Sequence, residues 1–277
     1  MTLVLDMITT AAILFIVASG LLAIFGVLKI INFAHGAWLT VGGYCAVVCA
    51  QAGITPWLSL PLAFVVGGAL GGLTERFIVR PLYDRPLDAI LATWGLGIVV
   101  GQLITLGFGR DVQFTESLLP GAVSLGPVDY SLYRLFALVA AVVIGGGFAL
   151  MLDGTRLGLS ARAVIMNEHL AKALGLDTAR VRSVTFMLGA GLAGLAGALL
   201  SPLTSVDPTM GVGWLVGSFM LVMAAGSSFA GLAVACILFG SAQVAVSTYV
   251  SPILGGITVA VLSALVLRVR PKGFSNV

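Results

Sequence analysis

Charged side chains are scarce in this sequence. Aspartate, glutamate, lysine and arginine make up 9% of the 277 residues, whereas about 25% is usual for a soluble domain. The mean hydropathy is +1.13, and apolar runs recur at about 20 residues, the length that crosses a hydrocarbon core of about 30 Å. The composition therefore excludes a soluble globular domain and predicts a polytopic helical membrane protein. The runs are continuous and rich in glycine, which argues against the alternating strands of an outer-membrane barrel.

Residues that build catalytic and metal sites are also few. The chain has three cysteines, Cys45, Cys49 and Cys236, all within apolar runs, and two histidines, His35 and His169. No histidine or carboxylate joins the cysteines at metal-ligand spacing. The His-Glu-x-x-His and Gly-x-Ser-x-Gly motifs are missing too. The sequence therefore predicts no bound metal and argues against an intramembrane hydrolase.

The sequence also lacks a site for ATP. A Walker A motif needs Gly-Lys-Ser or Gly-Lys-Thr after a glycine-rich turn. The three lysines, Lys29, Lys172 and Lys272, follow leucine, alanine and proline instead. We therefore expect that this chain binds no cofactor. If ATP and Mg²⁺ drive its activity, they are bound on other subunits.

Hydropathy predicts an all-α fold, a polytopic transmembrane helical bundle of about 8–9 segments within one domain over residues 1–277. Asp6 and the absence of a basic residue before the first apolar run predict a retained span rather than a cleaved signal peptide. The regions 29–52 and 212–249 either span the membrane or re-enter it. The predicted segments are 8–28, 36–52, 57–78, 89–108, 131–152, 183–203, 212–226, 231–249 and 252–268.

Basic residues predict the orientation of these segments. Only Arg110 and Arg134 fall on one side of the membrane, and the positive-inside rule makes the opposite, basic side cytoplasmic. The N-terminus is then outside and the C-terminus inside, and the net charge of +3 reflects topology rather than binding to nucleic acid. The basic side collects Lys29 and the arginines and lysines of 76–85, 156–182 and 268–272.

One segment, residues 153–182, is unusually charged. The chain has 14 basic and 11 acidic residues, and eight of these lie here. Inserting several charges into a bilayer is costly, at about 2.5–3.5 kcal/mol for each central Arg, Lys or Asp, so the segment is predicted to be a cytoplasmic loop. It is either a solvated loop that carries positive-inside charge or a docking element for a cytoplasmic partner.

Helix signals within this loop favour a docking element. Asn167 is a good N-cap, Glu168 suits the positive N-terminal end of a helix, and Gly175 is placed to end the helix in a left-handed turn. Asp177 or Thr178 is placed to cap the helix that follows. The predicted short helix over 167–175 has one apolar side, made by Leu170, Ala171, Ala173 and Leu174.

Three motifs in order along the chain resemble the LivH/LivM-type permeases of ABC importers for branched-chain amino acids. They are "INFAHGAWLTVGGY" (31–44), "ERFIVRPL" (75–82) and the long stretch 155–200 that contains "NEHLAKALGLDTARVRS". The stretch "AAGSSFAGLAV" (224–234) departs from the family's Gly-Gly-x-Gly-Ser turn. "LATWGLG" (91–97) is more similar to the permeases for urea and short-chain amides.

The resemblance implies a single permease domain in the bacterial cytoplasmic (inner) membrane, with 167–175 as the coupling helix in a groove of a cytoplasmic ATPase. It implies four kinds of partner: a second permease subunit of the LivM type, two cytoplasmic ATPase subunits, an extracytoplasmic solute-binding protein and the lipid bilayer. The cargo would be branched-chain amino acids, or alternatively urea or a short-chain amide. Arg180 and Arg182 would hold this helix at the membrane surface. The residues expected to couple to the ATPase are Asn167, Glu168, His169, Leu170, Lys172, Gly175, Asp177 and Arg180.

Polar residues inside apolar segments are candidates for the solute pathway. Asn32 and His35 are three residues apart and share a face if their segment is helical, and Thr93, Trp94 and Gln102 form a second set. The alternatives are a structural turn at 32–35 and an aromatic-belt position for Trp94. All acidic residues fall in loops or near span ends, which argues against an ion-coupled carrier but leaves an ATP-independent channel or uniporter open. Close helix packing is predicted at Gly67, Gly68, Gly71, Gly72, Gly189, Gly194 and Gly197.

Overall fold

The computed structural model describes residues 2–125, 128–226, 228–271 and 273–274, and most of them are helical. Lys272 and Ser227, which belong to the predicted basic C-terminal cluster and the divergent turn, lie outside these residues. A π-helical turn (Glu75–Val79) and a 3₁₀ turn (Arg80–Leu82) extend the third helix. The α-helices are α1 (Thr2–Leu28), α2 (His35–Gln51), α3 (Pro56–Thr74), α4 (Pro86–Phe108), α5 (Leu132–Gly154), α6 (Arg156–Met166), α7 (Glu168–Ala173), α8 (Thr178–Leu200), α9 (Met210–Ala225), α10 (Phe229–Tyr249) and α11 (Pro252–Val269).

The helices confirm an all-α polytopic membrane protein. Within the described residues, seven of them are long and apolar enough to cross a bilayer, and every predicted segment overlaps a helix. α2 and α9 have 17 and 16 residues, fewer than the roughly 20 of a typical span. Whether they span the membrane or re-enter it stays a prediction, as do the exact number of spans and the orientation.

The structure differs from the sequence-based prediction most clearly in three places. α1 begins at Thr2 rather than at residue 8, because Asp6 is paired within the fold and need not lie outside the helix. The connection between the predicted segments 89–108 and 131–152 contains a β-hairpin of β1 (Ala122–Leu125) and β2 (Val128–Ser131), in which Val123 pairs with Tyr130. The predicted loop at 153–182 contains α6 in addition to the expected short helix.

The chain divides into two compact units by its internal contacts. Residues 1–19, 116–145 and 216–277 form the first unit, and residues 20–115 and 146–215 form the second. In the first unit, Asp6 accepts hydrogen bonds from Arg134 at 2.7 Å and from the Tyr130 hydroxyl at 3.0 Å. The hydroxyls of Tyr130 and Thr9 also bond each other, at 2.8 Å.

Close packing of α2, α3 and α8 forms the core of the second unit. A Cβ atom on Gly197 would lie 1.8 Å from the Leu39 carbonyl oxygen, and one on Gly42 would lie 1.9 Å from that of Gly194. These helices therefore approach backbone to backbone, which requires glycine and is typical of helix contacts in membranes. The predicted small-residue faces of α3 and α8 are confirmed.

Candidate functional site

The charged segment folds into two short helices that meet at Asn167. Thr155 caps α6, because its hydroxyl accepts the Gly158 N–H at 3.1 Å. Asn167 is extended, ends α6 and caps α7 by accepting the Leu170 N–H on its Oδ1 at 3.0 Å. The predicted N-cap is confirmed. The helix itself has six residues, because the last residues of the predicted range form its closing turn.

That turn is left-handed at Gly175, whose φ is +84°. The Gly175 N–H bonds the Lys172 carbonyl and the Leu176 N–H bonds the Ala171 carbonyl, both at 3.1 Å. This pair of bonds is the Schellman motif, which satisfies the last carbonyls of a helix. Asp177 then caps α8 by accepting the N–H three residues further on at 2.9 Å. Both helix ends predicted here are confirmed.

α7 has one packed side and one open side. Ala171 is buried in a cluster with Val164 of α6 and Phe186 of α8. Met166, Leu170 and Leu174, spaced four residues apart, are 86%, 56% and 75% exposed. Large apolar side chains exposed next to polar ones are typical of an interaction surface. We call these three residues the apolar triad.

Some polar residues of α7 are exposed, and another is bonded to a neighbouring helix. His169 and Lys172 are exposed, whereas Glu168 forms an ion pair with Arg182 of α8. The side chain of Arg180 is exposed and forms no ion pair among the described residues. Of the two arginines, Arg182 is therefore the one that ties α7 to α8.

Arg182 also contacts a cluster of side chains around the buried Glu75, which the sequence did not predict. Its guanidinium lies 4.4 Å from the ring centroid of Tyr83, and the Tyr83 hydroxyl donates to the carboxylate of Glu75. The Arg80 Nε bonds the same carboxylate at 3.3 Å. Burial, and then the hydrogen bond to Glu75, raises the pKa of Tyr83 above its usual value, so the hydroxyl stays protonated and can donate.

Glu75 corrects the statement that every acidic residue falls in a loop or near a span end. It lies seven residues inside the apolar helical segment Pro56–Leu82 and is fully buried. Its Oε2 atom is buried and has no hydrogen-bond partner in the part of the chain that the structure describes. The charged group bonded to its Oε1 atom is Arg80 of the following turn.

The predicted pathway residues are mostly internal. Asn32, His35 and Thr93 are each fully buried. Asn32 Oδ1 accepts the Ala34 N–H at 3.1 Å, and Thr93 Oγ1 accepts the Phe33 N–H at 3.2 Å. These bonds hold the turn that precedes α2. The geometry therefore favours the structural turn over direct exposure to a pathway.

A cavity lies beside this turn. It has a volume of about 210 Å³, and of the predicted pathway residues Trp94 and Gln102 line it. Thr40, another lining residue, donates to the Gly36 carbonyl and accepts the Gly211 N–H, both at 3.1 Å. The other polar side chains in its wall are Thr105 and Thr209.

The three cysteines are free thiols. Among the described residues, no three histidine, cysteine, aspartate or glutamate side chains come together in a way that could hold a metal ion. The organised polar features of the second unit are thus the α6–α7 segment with its ion pair, the buried Glu75 cluster and the cavity at Trp94.

Comparison with known proteins agrees with the resemblance of the motifs. The branched-chain amino acid transport permease LivH of Escherichia coli K12 is 29% identical over 276 residues, which cover 93% of this chain and 89% of that protein. The probable LivH of Methanocaldococcus jannaschii is 30% identical over 72% of this chain and 65% of its own length. The fructose import permease FruG of Bifidobacterium longum is 24% identical over 73% of this chain and 60% of its own length.

The family model described as "branched-chain amino acid transport system / permease component" matches residues 3–269. With the seven long apolar helices, this match makes the chain a multi-pass transport protein of the cytoplasmic membrane rather than an enzyme. Permeases of this kind work with ATPase and solute-binding subunits. The chain belongs to the family of branched-chain amino acid transport system permease components.

Proposed function

We propose that this chain is the membrane-spanning subunit of an ABC importer and that ATP hydrolysis on separate subunits drives it. In this proposal, α7 is the coupling helix. The chain itself binds no cofactor, and ATP with Mg²⁺ is bound by two cytoplasmic ATPase subunits. A second permease subunit of the LivM type and an extracytoplasmic solute-binding protein complete the importer.

The observation that carries the proposal is the two-sided construction of α7. A coupling helix must be held rigidly by the membrane-spanning helices and must present a surface that binds the ATPase. Ala171 and the Glu168–Arg182 ion pair attach α7 to the helices of its own unit, while the apolar triad remains exposed. A solvated loop would need neither the two caps nor an exposed apolar surface.

The Glu168–Arg182 ion pair can transmit a displacement of α7 to the membrane-spanning helices. A push on α7 reaches α8 through Arg182, and it reaches the end of α3 through Tyr83 and Glu75. Rigid elements joined in this way transmit rigid-body displacement rather than absorb it. α8 and α3 carry the close glycine packing of the unit, so their movement shifts the helices around the Trp94 cavity.

For the cargo, we propose a branched-chain amino acid, in line with the family and with the LivH relatives. The Trp94 cavity supports an apolar side chain in the solute, because the few polar side-chain groups in its wall are uncharged: three hydroxyls, one amide and the Trp94 indole N–H. Asn32, His35 and Thr93 would act by supporting the cavity wall. Urea or a short-chain amide is the second candidate, favoured by the stretch 91–97, and an ATP-independent channel is the alternative of another class.

The proposal is tested by purifying the chain together with its companion subunits and measuring uptake into proteoliposomes. We expect the ATPase subunits to co-purify with it, and uptake of labelled leucine to require hydrolysable ATP. Competition with valine, urea, acetamide and fructose then identifies the cargo. Uptake by this chain alone without nucleotide would refute the ATP-driven mechanism.

A matched pair of variants tests the docking surface itself. Leu170→Glu places a charge in the apolar triad and is expected to abolish co-purification of the ATPase. Ile54→Glu places the same charge on an exposed apolar residue in the turn between α2 and α3 and should leave it intact. Equal retention of the ATPase by both variants would remove α7 from the interface.

A further inference from the structure

A second recess in the same unit is almost entirely apolar. α2, α3 and α4 enclose a groove of about 490 Å³, within the roughly 300–1,000 Å³ that hold small organic ligands. Leu73, Phe77 and Leu103 line it and are 55%, 68% and 61% exposed. On α4 it extends from Leu96 to Phe108, which is about 18 Å at 1.5 Å per residue and more than half of a 30 Å hydrocarbon core.

An arginine stands at one end of this groove. The guanidinium of Arg76 lies 5.9 Å from the ring centroid of Phe77, a residue of the groove wall. Arg76 is exposed, and no ion pair is formed by it among the described residues. Glu75 and Arg76 are the charged residues farthest from a helix end in the seven long apolar helices. Glu75 is buried and bonded, so Arg76 is the one that faces outward.

Arg76, a cation inside an apolar segment with no ion pair among the described residues, would be stabilised by an anionic group at the membrane surface. Arg76 lies six residues from the end of the segment Pro56–Leu82, or about 9 Å, which its side chain can cover by reaching toward the headgroups. Basic groups between transmembrane helices commonly bind lipid phosphates. The groove then receives the acyl chain of the lipid whose phosphate Arg76 holds.

The shape of the groove favours an acyl chain over a helix of another subunit. Helices associate in membranes through glycine, alanine and serine, which allow close approach. The groove wall contains no glycine, alanine or serine and is made of Trp, Phe, Leu, Ile and Val with one threonine. Bulky walls leave a channel that a flexible chain fills and that a helix cannot enter.

We propose that Arg76 and the groove between α3 and α4 form a binding site for one anionic phospholipid. The phosphate pairs with Arg76, and one acyl chain lies along Phe77, Leu73 and Leu103. The lipid belongs to the leaflet on the side of α6 and α7, because the segment that carries Arg76 ends at Leu82 and the next residue, Tyr83, contacts Arg182. Bound there, it braces α3 against α4 near the Glu75 cluster.

Native mass spectrometry of the purified transporter complex, titrated with dioleoyl phosphatidylglycerol, tests the site. We expect the wild-type complex to retain the lipid and Arg76→Gln to weaken its binding about fivefold. Arg85→Gln is the matched control, because Arg85 is also exposed and lies near the same membrane end, but it has an acidic neighbour, Asp88. It should change binding less than twofold, on the order of the effect of a solvated surface charge. Equal weakening by both variants would overturn the proposal.

Two further measurements locate the acyl chain. Dibutyryl phosphatidylglycerol, which keeps the headgroup, should bind more than about a hundredfold more weakly, since each buried methylene contributes to affinity. In nanodiscs, phosphatidylglycerol with brominated chains should quench the fluorescence added by Leu103→Trp, and Arg76→Gln should remove that quenching. Comparable binding of the short-chain lipid would reduce the site to a phosphate contact and refute the groove. Binding to the isolated chain but not to the complex would assign the groove to the subunit interface instead.

Discussion

Asp6 in the first unit and Glu75 in the second are both acidic residues inside apolar helices, and each is held by an arginine and a tyrosine. They differ in exposure. The side chains of Asp6 and Arg134 are 36% and 48% exposed. Arg80 is similarly exposed at 44%, but Glu75 is fully buried, and Tyr83, whose hydroxyl bonds Glu75, is half-buried. Ion pairs in contact with solvent contribute little to stability, while removing a buried partner leaves other buried groups without a bond. The comparison therefore predicts a structural role for Glu75 and a minor one for Asp6.

Removing the Glu75 carboxylate should have the largest effect. Glu75→Ala leaves the Tyr83 hydroxyl without its acceptor, at a cost of about 1–3 kcal/mol for the unpaired group alone, and adds a cavity. We expect a clear drop in the midpoint of thermal unfolding in detergent micelles, together with loss of transport.

Glu75→Gln is the control for this prediction. The amide keeps an accepting oxygen for Tyr83 and places its NH₂ where the carboxylate has an unpartnered oxygen. It should recover most of the stability that Glu75→Ala loses. If Glu75→Gln is as unstable as Glu75→Ala, the negative charge rather than the hydrogen bond is what the cluster needs.

Arg182→Ala should affect coupling more than folding. It removes the ion pair to Glu168 and the contact with Tyr83, so α7 loses its connection to α8 and α3. Residues in a coupling network typically contribute about 0.5–2 kcal/mol, so transport per ATP hydrolysed should fall by between about twofold and thirtyfold. The ratio of the two rates in proteoliposomes measures it. Arg268→Ala, at an exposed arginine at the end of α11 that forms no ion pair among the described residues, should leave that ratio unchanged.

Gly175→Val should also lower transport per ATP hydrolysed, but by less than Arg182→Ala. Its φ of +84° is unfavourable for a residue with a Cβ by roughly 1–2 kcal/mol, so the closing turn of α7 deforms. We expect ATP hydrolysis to continue while uptake falls. Gly53→Val imposes similar strain at a φ of +66° in the turn between α2 and α3, also in open space. If Gly53→Val uncouples the importer equally, strain alone is responsible and α7 has no special role.

The ends of α7 could be predicted from the sequence, whereas the cluster around Glu75 could not. Asn167, Gly175 and Asp177 were predictable because caps and left-handed turns depend on residues within a few positions of each other. The cluster around Glu75 was not, because Glu75 and Arg80 are five residues apart and do not share a face of an α-helix. The π-helical turn at Glu75–Val79 brings residues at this spacing together.

The solute pathway shows the same limit. A polar residue inside an apolar segment marks a functional position or an internal bond, and the sequence left both interpretations open for Asn32 and His35, while it favoured a pathway role for Thr93. The structure buries all three and gives Asn32 and Thr93 backbone partners, because the chain between α1 and α2 leaves its amides without helical bonds. Trp94 and Gln102 of the second set do line the cavity. Thr40 lines it as well and was not predicted, because the apolar stretch around it carries no signal that distinguishes a cavity from lipid.

Asp6→Asn should have the smallest effect and completes the comparison. The Tyr130 hydroxyl also bonds Thr9, so it keeps a partner when the charge on Asp6 is lost. The exposed pair with Arg134 should contribute only about 0–1 kcal/mol, and that contribution should shrink further in high salt. A double-mutant cycle of Asp6→Ala and Arg134→Ala, read from thermal unfolding at two salt concentrations, measures the coupling between the two residues. A coupling as large as the loss in Glu75→Ala would mean that membrane depth, rather than exposure within the protein, decides what an ion pair contributes in this family.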